Sequence, residues 1–150
     1  MSLWIRIGAL GVAALLAMGP APGHADELTD AVAAVPANVD DLKVIGSWRV
    51  GDFRGTYRLV VARFGPTPVR ARLFVQWIAL ENNGEARVES SVEVDELAAL
   101  EANITALRTK VERDGLLVFI DTAGGEPGAP TTYELALGPP DQYRFGPFTN

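Results

Sequence analysis

The chain has 150 residues, 19 acidic against 13 basic, a formal charge of −6, no cysteine and one histidine. A surface this acidic is repelled by phosphate backbones, so a nucleic-acid partner is not expected. Without cysteine there is no disulfide, no thiol redox site and no lipidated lipobox, and the length suits one core that folds without staples.

The N-terminal 25 residues read as an export signal. Arg6 supplies the positive charge, residues 7–18 run without a polar interruption, and Gly19-Pro20-Ala21-Pro22-Gly23 breaks any helix. Gly23 and Ala25 put small residues at the −3 and −1 positions of a cleavage site, so Asp26 is the expected first mature residue. The apolar run falls short of the roughly 20 residues a spanning helix needs, so no stable membrane anchor is expected after cleavage. The expected compartment is the periplasm or the exterior. The expected organisation is a signal peptide over 1–25 and a single β-rich domain over 26–150.

Cleavage also removes His24, the sole histidine. A mature chain with neither histidine nor cysteine cannot run Ser-His-Asp or Cys-His catalysis or build the usual zinc site. No phosphate loop, dinucleotide fingerprint or calcium loop is present in the sequence. No cofactor and no metal are expected, and the expected function is not enzymatic.

Along the mature chain, Leu28, Val32 and Val35 have helical spacing, with acids in the first turn and Pro36 as a stop. This predicts a short helix lying on the sheet, or a loosely held terminus. From Val44 the period changes to two. A strand is expected over 44–50, broken by 52–55. A second follows over 56–64, with Tyr57, Leu59 and Val61 on one side. Gly65-Pro66-Thr67-Pro68 turns the chain.

Asn83-Gly84 is the strongest hairpin signal. A two-residue turn there pairs Leu73 with Val94, Val75 with Val92, Trp77 with Ser90 and Ala79 with Val88 on an apolar face. Arg72 with Asp95, Phe74 with Glu93, Ile78 with Glu89 and Leu80 with Arg87 form a mixed face. Residues 95–112 admit two readings. Leu97, Leu100, Ile104, Leu107 and Val111 have the three-four spacing of an amphipathic helix. A hairpin at Asp114-Gly115 instead favours a helical turn over 95–101 and a strand over 103–112, pairing Val111 with Val118, Thr109 with Ile120 and Arg108 with Asp121. Strands are expected over 116–122 and 131–137, and the aromatic segment 143–148 closes the last edge. The pattern predicts a mainly β domain, a small antiparallel β-barrel or sandwich of about seven or eight strands with a short N-terminal helix.

Charge is unevenly spread. Lys43, Arg49, Arg54, Arg58, Arg63, Arg70 and Arg72 share their stretch with one acid, Asp52, while residues 81–101 carry seven acids against Arg87. Two readings follow: neighbouring strand faces paired by charge, or a basic face for an acidic partner. Glu89, Glu93 and Asp95 share a face of one strand, a set that could serve acid-base chemistry or a hard cation, or simply be solvated. Gly46-Ser47-Trp48 resembles the G-x-W signature on the first strand of lipocalins, with Arg144 placed to act as the arginine that packs on that tryptophan. Across these four residues the resemblance implies a barrel; an ordinary core tryptophan is the other reading of Trp48.

The reading that follows is an exported, non-enzymatic binding domain for a protein or envelope component. Its candidate contacts are Arg58, Arg70 and Arg72 and the aromatics Tyr143, Phe145 and Phe148. The alternative is a lipocalin-like carrier whose barrel interior is lined by Trp48, Tyr57, Trp77 and Phe119.

Overall fold

A computed structural model describes residues 24–113 and 115–149. The expected leader lies outside the described residues except at its last two positions. No helix among the described residues is long and apolar enough to cross a membrane.

The N-terminal unit contributes α1, His24–Ala33, where the apolar spacing predicted a helix. Its Leu28 and Val32 are exposed.

The second unit, Pro36–Asn150, contains eight strands and a short helix. β1 (Val39–Val50), β2 (Phe53–Phe64), β3 (Arg70–Leu80) and β4 (Ala86–Glu93) form one antiparallel sheet in chain order. The helical turn α2 (Asp95–Ala98) leads to the second sheet. That sheet is β5 (Asn103–Glu112), β6 (Gly115–Ala123), β7 (Thr132–Leu137) and β8 (Tyr143–Pro147), again in chain order. Two four-stranded antiparallel meanders face each other and neither sheet closes on itself, in keeping with the small sandwich or barrel that the pattern predicts.

Alternation decides what the sheets bury. Tyr57, Leu59 and Val61 of β2 meet Trp77, Val75 and Leu73 of β3 in register, and all six are fully buried. From the second sheet come Ile104, Leu116, Val118, Ile120, Tyr133, Leu135 and Leu137. Leu97 of α2 and Val94 close one end of this core. No polar or charged residue is buried among the described residues, and no buried side-chain polar atom there lacks a partner.

The region of two readings resolves as turn plus strand. Leu97 and Ile104 point into one core from a helical turn and from a strand, so their helical spacing is coincidental. Glu101, at φ 51°, ends the turn and redirects the chain into β5.

Three expected details change. The Asn83-Gly84 turn is a three-residue loop: Glu81 N–H donates to the Glu85 carbonyl and Gly84 N–H to the Glu81 carbonyl, with Gly84 at φ 86°. Near the turn Ala79 therefore faces Arg87 and not Val88, and Leu80 faces Ala86. A bulge at Glu89 restores the expected pairing of Trp77 with Ser90 and Phe74 with Glu93.

The β5–β6 register is two residues off the expected one, because Glu112 pairs with Gly115 and Val111 with Leu116. Gly115 is thus a strand residue. A Cβ there would collide with the Leu137 carbonyl of the neighbouring strand, so close approach and not the turn requires this glycine.

β1 starts five residues before the expected strand. Its inward positions Asp41 and Lys43 are polar and mask the period, and Lys43 Nζ reaches the Leu107 carbonyl of the opposite sheet at 3.5 Å.

Candidate functional site

Trp48, Tyr57 and Trp77 come together inside the sandwich. The Tyr57 and Trp77 rings meet edge-on, 6.3 Å between centroids. Tyr57 Oη donates to the Gly138 carbonyl at 3.0 Å, and Trp77 Nε1 donates to the same oxygen at 2.9 Å. Burial pushes the Tyr57 phenol up to about 12. Trp48 Nε1 donates to the Thr56 carbonyl at 3.3 Å, and the indole lies across Gly55. These three side chains fill the interior with their polar atoms satisfied, so a guest would have to displace them.

Phe119 is a correction. It faces away from the core, because the inward parity of β6 belongs to Leu116, Val118 and Ile120. On the outer surface it meets Phe148 edge-on at 5.4 Å and lies under the Arg108 guanidinium at 5.7 Å. Arg108 and Asp121 are also not register partners as expected. They reach each other along adjacent strands, Arg108 Nη2 to Asp121 Oδ1 at 3.0 Å, and the Arg108 and Thr132 hydrogen bonds hold that carboxyl below its usual range.

The C-terminal aromatics divide. Phe145 stacks on Tyr133 at 5.1 Å and packs, like Tyr143, against the core. Tyr143 Oη donates to Glu96 Oε2 at 2.9 Å, and burial, followed by that hydrogen bond and the Glu96 charge, raises its phenol to about 12. Phe148 alone of the three faces out, against Phe119.

The arginines also differ in their surroundings. Arg70 pairs with Glu101 at 3.1 Å. Arg72 pairs with Glu93 at 3.4 Å and lies over the Phe64 ring. Arg58 holds no carboxylate among the described residues. Its Nε donates to Gln76 Oε1 at 2.6 Å, and Gln76 Nε2 donates onward to Ser91 Oγ at 3.1 Å.

Register places Arg58 in the middle of the first sheet's outer face. One row across that face is Val44, Arg58, Gln76 and Ser91. The row on one side is Leu42, Val60, Phe74 and Glu93; on the other, Thr56, Ile78 and Val88. Leu42, Val44, Leu80 and Val88 are exposed, Val44 by 57%. An apolar sheet face around one guanidinium with free terminal nitrogens is suited to contact, since arginine amid apolar neighbours is a preferred anchor at protein interfaces. Arg58 was legible in the sequence; Leu42, Val44 and Val88 were not. Their signal was alternation opposite the core parity, which becomes visible only once the register is known.

The carboxylate set does not assemble. Glu89 is the bulged residue and pairs with Arg87, Glu93 pairs with Arg72, and Asp95 has left the strand for α2. No group of three potential metal ligands exists among the described residues. The lipocalin likeness ends similarly. Gly46, at φ 68°, is the bulge residue of β1, with Thr56 Oγ1 donating to its carbonyl at 2.8 Å, while Arg144 pairs with Ala136 across β8 and makes no cation–π contact with Trp48.

No protein-family model matches the chain, and no curated protein or solved structure matches it.

Proposed function

We propose that the protein is an exported, non-enzymatic binding domain of the periplasm or exterior that docks a partner protein on the outer face of its first sheet. The observation that carries this reading is Arg58, a guanidinium without a carboxylate partner among the described residues, set between exposed Val44 and a Gln76–Ser91 hydrogen-bonded pair. A partner that presents a carboxylate among apolar side chains satisfies both parts of this face. Desolvating such a pair at the centre of an interface makes its loss costly, whereas pairs at the rim contribute little.

Photo-crosslinking from position 44 in envelope extracts at physiological salt tests it. A discrete adduct that disappears in Arg58→Glu, while the variant keeps its near-ultraviolet circular dichroism, is the expected result. An adduct equally strong in the variant, or none in the wild type, overturns the assignment. An adduct with a second copy of this chain replaces the foreign partner by self-association. In the same preparation the first residue of the exported protein should be Asp26; protein that begins at Met1 removes the export reading.

A further inference from the structure

Half of the described cations hold a carboxylate: Arg63, Arg70, Arg72, Arg87, Arg108 and Lys110. Arg49, Arg54, Arg113 and Arg144 make neither an ion pair nor a side-chain hydrogen bond among the described residues. Three of these four line a single cleft of about 460 Å³, together with Ser47, Trp48, Gly55 and Leu80. No acid among the described residues lines that cleft. It lies where the β1–β2, β3–β4 and β5–β6 hairpins all turn, at one end of the sandwich.

Arg49 and Arg54 are direct register partners across β1 and β2. Like charges in that position repel and cost stability. Five of the seven other described arginines hold a carboxylate, whereas these three sit together with no counter-ion among the described residues. Their planar forks match the geometry of a tetrahedral oxyanion, and three positive charges favour a dianion over a monoanion. Ser47 adds a hydroxyl with no partner among the described residues, and Trp48, its Nε1 already bonded to the Thr56 carbonyl, forms a flat wall.

We propose that this cleft binds a phosphate-class dianion, a phosphomonoester or pyrophosphate group. Trp48 also lines a neighbouring, mostly apolar cleft of about 290 Å³ with Val50, Phe53, Pro139, Pro140, Gln142 and Glu89, whose carboxylate is held by Arg87. Phe53 is 68% exposed and Val50 44%. The apolar remainder of a phosphorylated ligand has a place beside its head group. The same chemistry is offered by a soluble phosphate ester and by a lipid head group, and the two sources are separable. The cleft adjoins the Arg58 face at Leu80 but does not include Arg58, so either assignment can fail without the other.

The test is a titration of the purified protein with inorganic pyrophosphate at low salt, read by the fluorescence of Trp48 at the cleft wall. A saturable change is expected, weakened about tenfold by Arg54→Gln and by Arg113→Gln and unaffected by Arg144→Gln. At one pyrophosphate concentration the melting temperature of the wild type should rise more than that of Arg54→Gln. Without ligand, Arg54→Gln should melt at or above the wild-type temperature, because it relieves the Arg49–Arg54 repulsion; a purely structural arginine would lower it. No saturable binding, or equal loss in Arg144→Gln, overturns the proposal. Vesicles of phosphatidylcholine with and without phosphatidic acid, set against soluble glycerol phosphate, then assign the source. Vesicle binding that needs phosphatidic acid and is lost in Phe53→Ser, with pyrophosphate binding retained, identifies a lipid head group. Binding of the soluble ester alone identifies a free one.

Discussion

Gly55→Ala is the sharpest test of the packing described. A Cβ at Gly55 would collide with the Ile78 carbonyl oxygen and sit 2.7 Å from Trp48 Cε2 and Cζ2. Neither neighbour is a flexible tip. Ile78 belongs to the paired β2–β3 ladder, and the Trp48 indole is 4% exposed and held at the Thr56 carbonyl. Carbon atoms in contact need roughly 3.5–4 Å, so the indole must retreat by about 1 Å or the strands must part. Overpacking of this kind costs about 1–3 kcal/mol, and loss of the indole hydrogen bond adds about 1 kcal/mol. A total near 3 kcal/mol lowers the melting temperature of a domain this size by roughly 10–15 °C. Gly146→Ala is the control, because a Cβ there meets nothing within 4 Å and its φ is not positive. It should lie within about 0.5 kcal/mol of wild type. Urea unfolding followed by near-ultraviolet circular dichroism reads both variants. A Gly55→Ala protein that unfolds with Gly146→Ala and the wild type would refute the placement of Trp48 over Gly55, and with it the shared wall of the two end clefts.

Two further outcomes follow from named contacts. Tyr57 and Tyr143 hold their protons to about pH 12 in the fold against about 10 when unfolded, so the unfolded chain loses protons first. Their stabilising effect is complete below pH 10 and declines as pH rises to 12, by up to roughly 3 kcal/mol for buried Tyr57 and by less for half-exposed Tyr143. Tyr57→Phe should lose about 1 kcal/mol at neutral pH, since Trp77 still donates to Gly138, but should show a shallower decline above pH 10 in urea midpoints; equal slopes would contradict the burial of that phenol. Arg63 of β2 bonds Asp40 at 2.8 Å, the Asn103 side chain and the Ile104 carbonyl at 2.8 Å, which ties the first sheet to β5. Arg63→Lys cannot reproduce this fork and should destabilise by about 1–2 kcal/mol, measured by thermal unfolding; an unchanged midpoint would remove Arg63 as a link between the sheets.

Much of the fold was legible in local chemistry. Period-two alternation with β-branched and aromatic residues located the strands, and Tyr57, Leu59, Val61, Leu73, Val75 and Trp77 were in phase with the core they form. The absence of cysteine depends only on which atoms are present, so the exclusion of thiol chemistry needed no coordinates.

Geometry decided the rest. Asn83-Gly84 marks a turn, but whether two or three residues span it depends on the Gly84 and Glu85 hydrogen bonds, and one residue reverses every side chain that follows until a bulge corrects it. Phe119 has a core composition and an outward parity; the two-residue register shift leaves that parity unchanged, and the packing of Leu116, Val118 and Ile120 in the core decides which face of β6 is buried. Arg113 is far in sequence from the hairpin that carries Arg49 and Arg54, and the three share no motif. Their convergence, like the apolar row around Arg58, arises because antiparallel meanders bring hairpin ends and alternate residues of several strands to one surface, which is a property of pairing and not of any single segment.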